Sequence, residues 1–249
     1  MKNKSVAVLF VTLLYISLAQ ASQETSKPTW DEADLKKFAE TGNCVGGNLQ
    51  GADLRPIIAQ FAAKNIYSFN INLQRAELSG ANLSGAKLAY ANLSQANLSA
   101  TNLNKSDLSY AYLYETYLLG TDLREANLSH AYLARAYLFR ATLQDANLTF
   151  ANLQGASILE KANLERANLS FANLNGAYLS LANFKNTNLF WANLSNSDLY
   201  LATFKNANVI GADFTNANFL ANAKFKGATF GWYARLKNCY TNQFDTTSD

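Results

Sequence analysis

The sequence predicts an all-β repeat solenoid, and three observations carry that expectation. From Leu73 to Leu153 a leucine stands at every fifth position without a miss. Small residues recur two places earlier, as in Ala81-Asn82-Leu83-Ser84-Gly85. A period of five is neither the 3.6 of a helix nor the 2.0 of a strand, so neither could bury these leucines together. Units of fixed period that bury their apolar face only against their neighbours make a solenoid. Ala81 and Leu83 can both point inward from one short extended segment, while Asn82, Ser84 and Gly85 face out or turn the corner. One small and one large inner residue suit a narrow interior packed without voids.

The run AELSGANLSGAKLAYANLSQANLSATNL resembles the pentapeptide-repeat family, whose consensus is A(D/N)LXX, and the resemblance covers about residues 47–230. It implies a right-handed quadrilateral β-helix with four pentapeptides per coil. Twenty residues would then return the chain to the same side, one strand spacing higher, about 4.8 Å.

Along the chain, residues 1–21 read as a signal peptide: Lys2 and Lys4, an apolar core from Val6 to Leu18, and a small-x-small site at Ala19-Gln20-Ala21. The apolar core is short for a membrane span, which makes an uncleaved anchor the weaker alternative. The exported form would begin at Ser22 and work in the periplasm or beyond, with no stable membrane insertion. Residues 22–30 hold Pro28 and read as a flexible lead-in. Residues 31–42 read as a capping helix, with early acids, Leu35, Phe38 and Ala39 on one face, and Gly42 as its stop. Such a helix would cover the strand edges and apolar interior of the first coil.

The repeat begins at Leu49 and Leu54, within a solenoid expected over 43–230. Residues 55–71 interrupt it, and Pro56, Ile57, Ile58 and Phe61 suggest a helical excursion. Leu54 and Leu73 are nineteen residues apart, so the register nearly survives. Ile158 is followed six places on by Leu164, which predicts a bulge near 157–161. The interior line then runs from Leu164 to Phe214 and Phe219, with a second six-residue step near 220–225 to Phe225 and Phe230. Inner residues drift from leucine to phenylalanine, and the wider ring is expected to end the smooth stacking. Residues 231–249 read as a C-terminal cap and tail. Cys44 and Cys239 would sit at opposite ends of a body roughly 40 Å long, beyond the ~7 Å α-carbon reach of a disulfide.

Charge narrows the function classes. The net charge is +3, and losing Lys2 and Lys4 with the leader reduces 21 basic residues to 19 against 18 acidic ones. That near-neutral balance argues against nucleic-acid binding and against an acidic DNA mimic. No catalytic constellation, metal set or cofactor motif stands out, so the chain reads as a non-enzyme with no cofactor. The single histidine, His130, reads as an outward surface residue, since a base needs positioned partners. Glu115 with Arg135, and Lys105, Glu125, Asp145 and Arg166, fall into surface columns of mixed sign. Asp107, Asp122, Asp198 and Asp213 occupy the consensus Asp/Asn place and are expected to brace turns.

The feature that rises above the wall is aromatic. Tyr90, Tyr110, His130 and Phe150, then Phe171 and Trp191 after the slip, would stack on one corner. Tyr112, Tyr132, Tyr117, Tyr137 and Tyr178 precede inner residues nearby, with Tyr114 and Phe139 just after them. One reading is a ladder that only stabilises. The other is a binding surface, because large exposed apolar patches have a use. The leading expectation is an exported interaction scaffold that binds a protein partner or a second copy through this corner, with carbohydrate as a further possible ligand. The alternatives are a DNA-mimic-like topoisomerase inhibitor, which the family resemblance suggests, and a protein binding or acting on polysaccharide.

Overall fold

The computed structural model describes residues 30–61, 71–157, 161–231 and 233–237. Each repeat contributes one bridging residue rather than a long strand. Asn72 pairs in parallel with Asn92, Glu77 with Asn97, Asn82 with Asn102 and Lys87 with Asp107, and each partner pairs again about twenty residues on. Residues five apart therefore occupy successive sides and residues twenty apart the same side. The result is a four-sided coil; sides one to four are those of Asn72, Glu77, Asn82 and Lys87.

The sequence builds each corner locally. Leu88 O accepts from Ala91 N at 3.0 Å, and Tyr90 between them has φ 64° while Ala89 does not share its positive φ. A closed four-residue turn with positive φ at its third residue is the type II pattern. The Asn or Asp before the inner residue braces the turn: Ser84 N donates to Asn82 Oδ1 at 3.2 Å. Asp107, Asp122, Asp198 and Asp213 do the same for the amides of Ser109, Arg124, Tyr200 and Thr215, at 2.9–3.1 Å. Adjacent coils are joined by backbone bonds such as Leu83 N to Asn102 O (2.8 Å) and Asn102 N to Ala81 O (3.0 Å). Amide side chains add a second ladder, as from Asn147 Nδ2 to Asn127 Oδ1 at 3.1 Å.

The inner leucines and alanines are fully buried along the axis, each leucine contributing about 1.5–3 kcal/mol. Threonine replaces the inner alanine at Thr101, Thr116, Thr121 and Thr187. Each of these buried hydroxyls donates to a backbone carbonyl of the preceding coil at 2.7–2.9 Å, so the polar atom is not orphaned.

Two helices precede the regular coils. Helix α1 spans Glu32–Thr41; Asp31 Oδ1 accepts from Ala33 N and Asp34 N, and Gly42 ends it at φ 72°. Leu35, Phe38 and Ala39 join the core. Helix α2 spans Arg55–Ala59 with Pro56 in its first turn; Ile57, Ile58 and Phe61 are buried, and Phe61 meets the edge of Phe38 at 5.2 Å. Cys44 is an inner residue here. A Cβ at Gly47 would overlap its Sγ and crowd the Asp34 carboxylate, which accepts from Asn48 N at 2.8 Å.

Four sequence expectations need correction. The register across the interruption does not nearly survive: Asn43, Glu77's partner Asn48, and Asp53 pair 29 residues on, with Asn72, Glu77 and Asn82. The nineteen residues from Leu54 to Leu73 cover only two sides, with α2 and an insertion between. Phe219 is not an inner residue. It is 55% exposed, while Leu220 is 1% exposed and opens a 3-10 turn over Leu220–Asn222. The extra residue itself enters where the six-residue step put it, since Asp198 pairs 20 residues on with Asn218 but Thr203 pairs 21 on with Lys224. Phenylalanine does not end the stacking, because Phe184, Phe204 and Phe225 form a parallel column on side three with centroids 4.8 and 4.7 Å apart. Finally, the ladder passes 230: Asp213 pairs with Arg235, and Asn216 N donates to Lys237 O at 2.9 Å.

The other slip agrees in place with its six-residue step, since Tyr137 pairs 20 residues on with Ser157 but Thr142 pairs 21 on with Asn163. The expected leader (1–21), almost all of the lead-in, residues 62–70 of the interruption, 158–160 of the first slip, and Trp232, Cys239 and the tail lie outside the described residues. Among the described residues, no helix is long and apolar enough to cross a membrane.

Candidate functional site

The corner between sides four and one carries the aromatic column. Tyr90, Tyr110, His130, Phe150 and Phe171 lie ring on ring, with centroids 4.6–5.0 Å apart and planes within 10°. All five stand at the turn residue of positive φ, 58–64°. That region is unfavourable for a bulky L-residue by roughly 1–2 kcal/mol. The coil rise places successive rings at stacking distance, and the stack offsets part of that cost. Their faces are covered by one another and their outer edges are open, leaving Tyr90 and Phe150 each 50% exposed.

Trp191 does not extend the column. Phe190 turns its edge to Phe171 at 5.5 Å and 87°. The Trp191 indole instead lies over Gly211, where a Cβ would sit 2.7 Å from Cδ2, and pairs with Tyr233 at 5.8 Å. Tyr112 and Tyr132 stand on side one, beside this corner, and Tyr132 packs against Tyr114 at 6.1 Å. Tyr117 and Tyr137 stack at 4.9 Å on side two, beyond the next corner. These residues are thus not one patch: the six corner residues gather with Tyr112 and Tyr132 of side one, and Tyr117 and Tyr137 form a separate pair.

Sequence reading named only Tyr178 of a further exposed apolar group. Leu181 and Leu201 occupy turn positions at the corner after side two, near Tyr178, Tyr200 and Phe219, all exposed. Tyr200 meets the edge of Phe219 at 5.6 Å. The 20-residue recurrence of Leu181 and Leu201 could have shown it, but assigning Phe219 to the interior hid its most exposed member.

The charged columns form as expected. Arg166 holds Asp145 through two bonds of 2.7 Å, which keeps the Asp145 carboxyl below its ordinary range. Lys105 reaches Glu125 at 3.7 Å and Arg135 reaches Glu115 at 3.6 Å. Hydrogen bonds from Gln95 and Tyr114 lower the Glu115 pKa, and the bond to Glu115 raises that of Tyr114. Among the described residues, no group of His, Cys, Asp and Glu could hold a metal ion. Cys44 is buried and its thiol is pushed up to about 11, by burial first and by Asp34 second.

A four-sided solenoid with one laddered residue per side and coil defines a pentapeptide-repeat architecture. The family model for pentapeptide repeats matches residues 69–104, 106–145, 121–158, 143–186, 162–199 and 182–219. The chain belongs to the pentapeptide-repeat family, and that membership implies a right-handed quadrilateral β-helix. Among solved structures it is similar to a pentapeptide repeat protein from the Arabidopsis thaliana thylakoid lumen (40% identity, 39% of this chain and 68% of that one, TM-score 0.38). It is also similar to HetL, a protein involved in heterocyst differentiation regulation in Nostoc sp. strain PCC 7120 (32% identity, 84% and 95%, TM-score 0.29). QnrB1, a plasmid-mediated fluoroquinolone resistance protein, matches at 18% identity over 65% and 86%, with a TM-score of 0.40. No curated protein sequence matches the chain.

Proposed function

We propose that this protein is an exported, non-enzymatic scaffold that docks a protein partner, or a second copy of itself, along the aromatic corner. The observation that carries the reading is the column Tyr90–Tyr110–His130–Phe150–Phe171, held at positive-φ turn positions with open outer edges. Glycine or asparagine fills that turn position elsewhere at less strain, as at Gly80 and Asn196. Stacking supports the column from within, yet it leaves the ring edges in water. A partner that covers them would remove apolar area worth about 25 cal/mol per Å². Export rests on the leader-like residues 1–21, and a mature N-terminus at Ser22 in the intact mass of the purified exported protein would support it; an N-terminus at Met1 would not.

The test is capture from the exported fraction with wild type beside the Phe171→Ser, Trp191→Ser double variant. Circular dichroism and urea midpoint serve as folding controls. A partner or second copy held by wild type and lost by the folded double variant supports the reading. Equal capture by both moves recognition off this corner.

A further inference from the structure

The corner between sides one and two carries a polar ladder with a direction. Arg75 Nε donates to Gln95 Oε1 at 2.8 Å, and Gln95 Nε2 donates to Glu115 Oε2 at 2.9 Å. Arg135 follows, reaching Glu115 at 3.6 Å and the Tyr114 hydroxyl at 3.2 Å. The next two residues in this column are Gly155 and Gly176, both at positive φ. The ladder therefore stops at the Arg135 guanidinium, because the next two positions of its own column carry no side chain. Arg55, Arg124 and Arg166 differ, since each meets an aspartate through two short bonds.

The missing side chains leave a concavity of about 430 Å³, within the range of small-molecule sites. Arg135 lines it, with Cγ 3.9 Å from where a Cβ at Gly155 would stand. Tyr114, Tyr132, Gln154 and Asn175 line it as well. Asn175 spends its Nδ2 on Ser195, at 2.7 Å to the hydroxyl, and so offers its carbonyl oxygen.

We infer that this concavity is a binding site for a carboxylated sugar, a uronate, whose carboxylate takes the acceptor place that Gly155 leaves beside Arg135. A guanidinium fork matches a carboxylate in two parallel bonds. The Tyr132 ring offers a face for the sugar's apolar side, while the amides of Gln154 and Asn175 present a donor and an acceptor for hydroxyls. The lining holds no acid to receive an ammonium and only Ala134 as an aliphatic side chain, which disfavours an amino acid or a peptide terminus. The site is on a different corner from the aromatic column and does not depend on the proposed scaffold role.

The test is calorimetric titration of the exported form with trigalacturonate, its methyl ester, and N-acetylglycine. Saturable binding of trigalacturonate is expected, weakened at least tenfold by esterification and by Arg135→Met, with N-acetylglycine not binding. Gly155→Asp supplies the acceptor from within and is expected to abolish binding, with a urea midpoint lowered by no more than the cost of a non-glycine residue at this left-handed turn. No saturable trigalacturonate binding, undiminished binding by folded Arg135→Met, or equal binding of the ester or of N-acetylglycine would each overturn the assignment.

Discussion

Replacing Ala100 by glycine should stabilise the protein. Ala100 has φ 54° at an exposed turn, and the residues one coil either side, Gly80 and Gly120, are already glycine at φ 67° and 63°. An L-residue in this region is disfavoured by about 1–2 kcal/mol, and glycine's added freedom in the unfolded chain returns roughly 0.5–1 kcal/mol of that. The net expectation is a gain of about 0.5–1 kcal/mol. The same backbone term operates at Tyr110, φ 58°, but there the ring stacks at 4.8 Å on Tyr90 and 4.6 Å on His130. Two aromatic pairs are worth about 0.5–1.5 kcal/mol each. Tyr110→Ala should therefore lose about 1–3 kcal/mol. Tyr110→Gly should lose less than Tyr110→Ala, by the amount that Ala100→Gly gains. Urea denaturation at pH 7, with midpoints compared at constant slope, reads all three. A destabilised Ala100→Gly, or equal midpoints for the two Tyr110 variants, would refute the claim that the ring column compensates strained turns.

Phe204→Ala should lose about 3–5 kcal/mol, because Phe204 is fully buried between two stacked rings with a third on its edge; a thermal-melt shift of only a degree or two would contradict the continuous inner column. Arginine hydrogen bonds lower the pKa of Asp53, Asp122 and Asp145 in the folded protein. The folded state then binds fewer protons than the unfolded chain, so this stability is present at neutral pH and lost as pH falls below about 4 through the folded pKa values. Urea midpoints from pH 7 to pH 2 should fall in that window, and the Asp122→Asn, Asp145→Asn double variant should fall less steeply. The Cys44 thiol, buried and pushed up to about 11, should resist iodoacetamide at pH 8 until urea unfolds the first coil; rapid labelling of the native protein, read by peptide mass, would place Cys44 elsewhere.

The regular part of the fold was legible because two residues in five, the small one and the leucine, recur at buried places, while the four sides came from the resemblance to the pentapeptide-repeat family and not from the period itself. Asp107 and its equivalents could be read as turn braces from their consensus place alone. The interruption was misleading because nineteen residues resemble four repeats, whereas bridge pairing shows only two sides plus an insertion around α2. Phe219 and Leu220 are adjacent apolar residues, and periodicity alone cannot decide which faces inward. The left-handed turn at Phe219, φ 57°, settles it. The column of stacked rings could be anticipated from the twenty-residue recurrence. The departure of Trp191 depended on the space that Gly211 leaves and on the ring orientation of Phe190, neither of which has a periodic signal. The concavity above Arg135 was similarly hidden, since glycine is ordinary at a turn and only becomes informative where a ladder ends on it.

Hydroxyl-radical footprinting of the outward rings, in the native fraction of the host that contains the protein and in the purified protein, tests the proposed role most directly. If the corner is a recognition surface, Tyr90, Tyr110, Phe150 and Phe171 should be oxidised several-fold more slowly in the native fraction, while Tyr117 and Tyr137 on side two keep their rates. Equal rates at the corner in both samples would contradict recognition there and leave the column as a device that steadies strained turns.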